Sequence, residues 1–228
     1  MKFFVVLGLL VLLLVSTATG AMAAAVGYLD MVANGVVDQD ANPTPTGQAL
    51  GLKNGQDDLA VSIISAGTII NDKYKIGAEY GIGSVKKTGD DENLTLRSIK
   101  VGYRLVSAKA FKLDAIVAPL NINANHSQLD TLLYGFDAAQ YFSTKMFLTL
   151  SYVVGDGEYQ KDGLKDDKSV PTNLLRIKFH YFFNDNIGAV AGYTGLNYKF
   201  NSIHPMAGNL GTMDVHMGGP TLGLVYKF

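Results

Sequence analysis

Residues 175–183 read Leu-Arg-Ile-Lys-Phe-His-Tyr-Phe-Phe. Leu175, Ile177, Phe179, Tyr181 and Phe183 are large and apolar, and the interleaved Arg176, Lys178 and His180 are basic or ionisable. A helix would scatter these side chains around its axis, whereas a strand sorts them onto two faces. The same period of two runs through Met146, Leu148, Leu150, Tyr152 and Val154 against Thr149 and Ser151. It recurs in Tyr74, Ile76, Ala78, Tyr80 and Ile82, set against Lys75, Gly77 and Glu79. Alternation alone does not say which face points in, because a soluble sandwich shows it too.

The connections break that tie. Strands are predicted at about 25–36, 58–70, 74–86, 94–106, 111–122, 129–142, 146–159, 172–183, 187–200 and 214–228. Between them, tight turns such as Asn71-Asp72-Lys73, Ser143-Thr144-Lys145 and Asn184-Asp185-Asn186 alternate with longer polar segments such as Val37 to Asp57, Gln160 to Pro171 and Asn201 to Met213. Short turns at one end and long loops at the other describe an outer-membrane barrel. The predicted fold is all-β: a closed up-and-down antiparallel transmembrane β-barrel of about ten strands. An eight-strand alternative would start by deleting the strand before 58–70 or that strand itself, where Leu59, Val61 and Ile63 alternate cleanly but Ser65-Ala66-Gly67 does not.

Pro220, Leu222, Leu224, Tyr226 and Phe228 alternate on one face of the last strand, with Thr221, Gly223, Val225 and Lys227 on the other. This segment resembles the closing strand of bacterial outer-membrane β-barrel proteins, a broad class that includes the OmpA, OmpX and porin-like barrels. The resemblance implies a Gram-negative cell envelope, and an assembly signal at Leu222, Leu224, Tyr226 and Phe228 read by the barrel-assembly machinery. It further implies outer-membrane lipid and lipopolysaccharide as surroundings, loops outside, and both mature termini in the periplasm.

The amino terminus fits that destination. Lys2, the apolar run Phe3 to Val15 and a small-residue cut site at Ala21, Ala23 and Ala24 read as a helical signal peptide over 1–23, leaving 24–228 as the barrel. The alternative is an uncleaved anchor. The chain has 228 residues, 25 glycines, no cysteine and a formal net charge of -1. A 48% hydrophobic share excludes disorder, and the missing cysteines exclude disulfide frameworks and thiolate chemistry. So balanced a charge argues against a nucleic-acid partner.

Inside the barrel the period of two places Asp30, Glu79, Lys100, Arg104, Asp114, Asp137, Arg176, Lys178 and His180. Arg104 and Asp114 are expected to pair across the strands. Pro119 and Pro220 fall within strands, so bulges are expected at both. An aromatic girdle is expected at the short-turn end, with Tyr80, Tyr103, Tyr134, Tyr152 and Tyr193 nearer mid-strand or the far end. His126 beside Ser127, and His204 and His216 around the last loop, show no catalytic spacing. The acidic clusters around Asp38 and Asp162 lack the geometry of a calcium loop. No catalytic residue, cofactor or metal site is expected. The function expected is a monomeric, non-enzymatic outer-membrane protein of structural or surface-interaction type. A narrow porin-like channel is the second reading, and a lipid- or peptide-modifying enzyme the third.

Overall fold

In the computed structural model the described residues are 22–86, 91–164 and 166–227. The leader up to Ala21 and the terminal Phe228 lie outside them, and Ala23 and Ala24 fall at the start of the first strand. Ten strands follow in order: β1 (Met22–Pro43), β2 (Gly55–Ile70), β3 (Tyr74–Lys86), β4 (Asp91–Ser107), β5 (Phe111–Ala124), β6 (Ser127–Tyr141), β7 (Met146–Lys161), β8 (Asp167–Phe182), β9 (Ile187–His204) and β10 (Gly208–Lys227). Each pairs antiparallel with its sequence neighbours, and β1 pairs with β10 to close the barrel. Closure matters because hydrocarbon offers no partner to an open sheet edge. The second strand is kept, paired without interruption to β3 from Asp58↔Lys86 to Ile70↔Tyr74.

The tight turns are built by residues suited to them. Asn71 and Asp72 have φ of 52° and 53°, a left-handed pair that Asn and Asp tolerate, and the Lys73 amide donates to the Ile70 carbonyl at 3.1 Å. At 184–187 the Asn184 carboxamide accepts from the amides of Asn186 and Ile187. The long connections are shorter than the sequence suggests, because most of their residues extend the strands. β1 runs on to Pro43, and β9 and β10 meet at His204↔Gly208. A five-residue helix, α1 (Pro45–Ala49), fills part of the β1–β2 connection. Thr44 caps it and ties it to β10, its amide donating to the Leu210 carbonyl at 2.8 Å.

The two strand prolines behave differently. No bulge forms at Pro119: Ser98 pairs with Leu120 and Val101 with Val117 in one unbroken register, and the two positions between simply lose their bridge to β4. Its other neighbour, β6, pairs with it normally through Leu132. Opposite Pro220 the register does shift, with the extra residue on β1 between Val32 and Gly35. The proline has no amide to donate, so its partner strand bends away there.

Large apolar side chains cover the outer surface of the short-turn half, including Leu29 and Met31 on β1, Ile99 and Val101 on β4, Ile177 and Phe179 on β8, and Leu222 and Leu224 on β10. Tyr226 is also exposed on that face. Water would penalise such a belt and acyl chains accept it. Aromatics rim its short-turn edge: Tyr74, Phe111, Phe142, Phe183 and also Tyr103, which the sequence placed further along. Tyr103 pairs with Tyr74, and their rings meet edge to face at 5.7 Å.

Above the belt the two faces exchange character. Asp58, Arg97, Asp130, Asp156 and Asp214 are exposed on the outer surface. The inward positions there carry an aliphatic core that includes Val61, Leu94, Ile122, Leu133, Val153, Leu174, Leu196 and Met217. The expectation of apolar outside and charged inside thus holds for the short-turn half alone. The other half has the layout of a soluble barrel, with a greasy interior and a wet exterior.

Candidate functional site in the lumen

The inward faces of the short-turn half carry the charges. The structure brings all nine sequence-derived lumen residues into this half of the barrel, and adds Lys75 of β3 and Asp72 of the β2–β3 turn. Arg104 donates through Nε to Asp114 at 2.8 Å, directly across β4 and β5, and through its terminal nitrogen to Asp72 at 2.7 Å. Lys75 reaches Asp137 at 2.5 Å and lies 3.7 Å from Asp114. Lys100 shares Asp137 at 3.3 Å and approaches Glu79 at 4.0 Å. Arg176 donates to Glu79 at 2.5 Å, and Lys178 pairs with Asp30. The Arg104–Asp114 and Lys100–Glu79 pairs join neighbouring strands. The others between strands reach across the lumen, from β8 to β3, β8 to β1, β3 to β5 and β6, and β4 to β6.

Pairing of this kind is required by burial. Asp30, Arg104, Asp114 and Arg176 are all buried, and a lone charge in such a place costs several kcal/mol, on the order of 3–5 when one partner is removed. Asp72 sits outside the membrane-spanning strands. The Ser107 hydroxyl, donating at 3.1 Å, and the Arg104 guanidinium hold its carboxyl below the usual carboxylate range. His180 lies against Thr149, 3.0 Å from its hydroxyl, and stacks on Phe147 with ring centroids 4.3 Å apart.

Lys75 was legible in the alternation with Gly77 and Glu79. It lies next to the β2–β3 turn, on the strand that starts at Tyr74. The charged zone ends abruptly. On β1, β5, β7 and β8 the next inward position after Asp30, Asp114, Ser151 and Arg176 is Val32, Ile116, Val153 and Leu174. Below this boundary lies a cavity of about 270 Å³, lined from Glu79 and Arg176 down to Lys112, Thr144 and Lys227 at the short-turn mouth. Above it Leu133 is 0% exposed and Val153 2%, and a pocket of about 70 Å³ lies near the long-loop mouth.

A second concavity, of about 600 Å³, lies on the outer surface of the long-loop half. Tyr134 and Tyr152 line it beside Asp38, Asp40, Asn173, Asn197, Lys199, Asp214 and His216. Lys199 pairs with Asp214 at 3.0 Å, and His216 contacts Asn197 and the Tyr193 hydroxyl.

The other loop histidines have structural partners. His126 pairs with Asp162 at 3.0 Å, and His204 Nδ1 accepts from the amides of Met206 and Ala207. Asp167, read in the sequence as part of an acidic loop cluster, is buried and ties β8 to β9, accepting from the Asn201 amide at 2.6 Å and its side chain at 2.9 Å.

No protein-family model matches the chain, and no curated protein matches it. Among solved structures it is similar to Neisserial surface protein A (NspA), at 13% identity over 90% of this chain and 99% of that one, with a TM-score of 0.40. It is also similar to the translocator domain of the autotransporter NalP from Neisseria meningitidis, at 12% identity over 98% and 95% of the two chains, with a TM-score of 0.42. For OmpT, an outer membrane protein of Vibrio cholerae, the identity is 10% over 90% and 64%, with a TM-score of 0.34. These are outer-membrane β-barrel proteins.

Proposed function

We propose that this chain is a sealed outer-membrane barrel in which the short-turn half anchors in lipid and the long-loop half stands clear of it to meet the outside. The observation that carries this reading is the change of inward residues from ionic to aliphatic within one inward position. The lower cavity ends beneath the level of Leu133, Val153 and Leu174, so among the described residues no open path continues from it through the upper lumen. A ten-stranded lumen is narrow enough for side chains to fill, whereas open channels come with about sixteen strands. The polar exterior of the long-loop half favours water or the sugar layer of lipopolysaccharide over acyl chains. The concavity beside Asp38 and His216 gives a surface partner a place to sit.

The short turns face the periplasm in this reading, as is general for barrels of this architecture. The role in this reading is non-enzymatic, and what supports it is that His126, His204 and His216 lie on different elements, paired with Asp162, the loop amides of Met206 and Ala207, and Tyr193.

Planar-bilayer recording on the refolded barrel tests the sealed state. The expected trace is flat, and steady single-channel steps would replace this reading with the porin-like one. Labelling by a membrane-impermeant maleimide tests orientation: a cysteine placed at Gly163 should react on intact cells, and one at Ser143 should not.

A further inference from the structure

We infer that the blind cavity at the short-turn end binds a small planar organic anion, of the aromatic carboxylate class, that enters through the short-turn mouth. Its volume of about 270 Å³ sits near the lower end of small-molecule pockets, roughly 300 Å³, which limits the occupant to about one substituted ring.

The charge balance selects an anion. The five lumen bases are matched by Asp30, Glu79, Asp114, Asp137 and the turn residue Asp72. Lys112 and Lys227 make none of these ion pairs, although Lys112 acts on Asp72 at longer range. Both line the cavity at its mouth, and among the described residues neither has a carboxylate within ion-pair distance. They rest instead over aromatic faces, Lys112 Nζ 5.4 Å from the Tyr141 ring centre and Lys227 Nζ 5.7 Å from that of Phe182.

The same rings belong to an aromatic row. Tyr141 stacks on Phe147 at 5.1 Å and Phe147 on Phe182 at 6.1 Å, so a planar body entering between the lysines comes up against aromatic rings. Deeper in, Arg176 is 6% exposed and its Nε has no hydrogen-bond partner. Its guanidinium adds to the positive charge that lines the cavity. The site thus asks for negative charge and a ring.

Terephthalate, its neutral diamide and inorganic phosphate are the probes, titrated calorimetrically into the full-length refolded barrel in detergent. Terephthalate should bind saturably, the diamide should not, and phosphate should bind at least tenfold more weakly than terephthalate. The Lys112→Gln/Lys227→Gln variant should lose at least tenfold in terephthalate affinity while keeping the heat-modifiable gel mobility of the folded barrel. Tyr141→Ala keeps both lysines, and it should weaken terephthalate and leave phosphate unchanged. Absence of saturable binding, equal binding of the diamide, equal binding of phosphate, or an unaltered affinity in the folded lysine variant would each overturn the inference. Bilayer conductance is a separate measurement, so a failure here leaves the sealed-barrel reading to stand or fall by itself.

Discussion

Arg176 on β8 and Glu79 on β3 sit five strands apart in either direction around a ten-stranded ring, and their side chains still meet at 2.5 Å. The lumen is therefore spanned by one ion pair at this level. Removing one partner strands the other: Glu79→Ala should destabilise the barrel by about 3–5 kcal/mol. Glu79→Leu combined with Arg176→Met should cost less than the single Glu79→Ala change, because both desolvation penalties vanish together. Urea titration in phospholipid bilayers, followed by gel mobility, reads both values. A double variant less stable than the single one would contradict the pairing.

Leu133 is fully enclosed in the upper lumen, so Leu133→Ala should cost about 2–5 kcal/mol through lost burial and the void left behind. Opening the seal takes more than one side chain. Leu133→Ser, Val153→Ser and Leu174→Ser together should give conductance steps in a planar bilayer that the parent barrel lacks.

At the bend opposite Pro220 two backbones nearly touch. A Cβ on Gly219 would lie 2.6 Å from Gly35 Cα and 3.2 Å from Val32 Cγ1. Gly219→Ala should therefore force the β1–β10 seam apart and cost about 1–3 kcal/mol, as overpacking generally does. The urea midpoint reports it. An unchanged midpoint would mean that the seam relaxes freely.

Asp72 gives stability a pH dependence of known sign. Its carboxyl is held below the unfolded value, which is about 3.9, by Ser107 and Arg104. Its contribution is then present above that unfolded value and disappears as pH falls through the lower folded one. The urea midpoint of the parent should exceed that of Asp72→Asn at pH 5, and the gap should narrow by pH 3. A gap that stays constant over this range would show that the turn carboxylate carries no such linkage.

Strand number, closure and the charged residues of the lower lumen were legible from the period of two, because that half of the barrel presents one consistent face to lipid. The exchange of faces was present in β2 and was read as a fault. Leu59, Val61 and Ile63 point inward, whereas the half-buried Ile64 and Ala66 lie on the opposite parity, so the broken alternation at Ser65-Ala66-Gly67 marks the changeover. Which charges meet was not legible beyond Arg104 and Asp114. Those two are neighbours along a hairpin, but the meeting of Lys178 with Asp30 depends on how ten strands close and stagger, which no local pattern encodes.

The exchange of faces also sets a waterline. Two residues along a strand advance about 7 Å. Sinking the molecule by that step would push Arg97 and Asp156 toward hydrocarbon, and lifting it would wet Leu222 and Ile99. Each displacement is opposed by its own penalty, so in the proposed arrangement the protein is moored at one depth, with its long-loop half projecting from the membrane by a height written into the sequence.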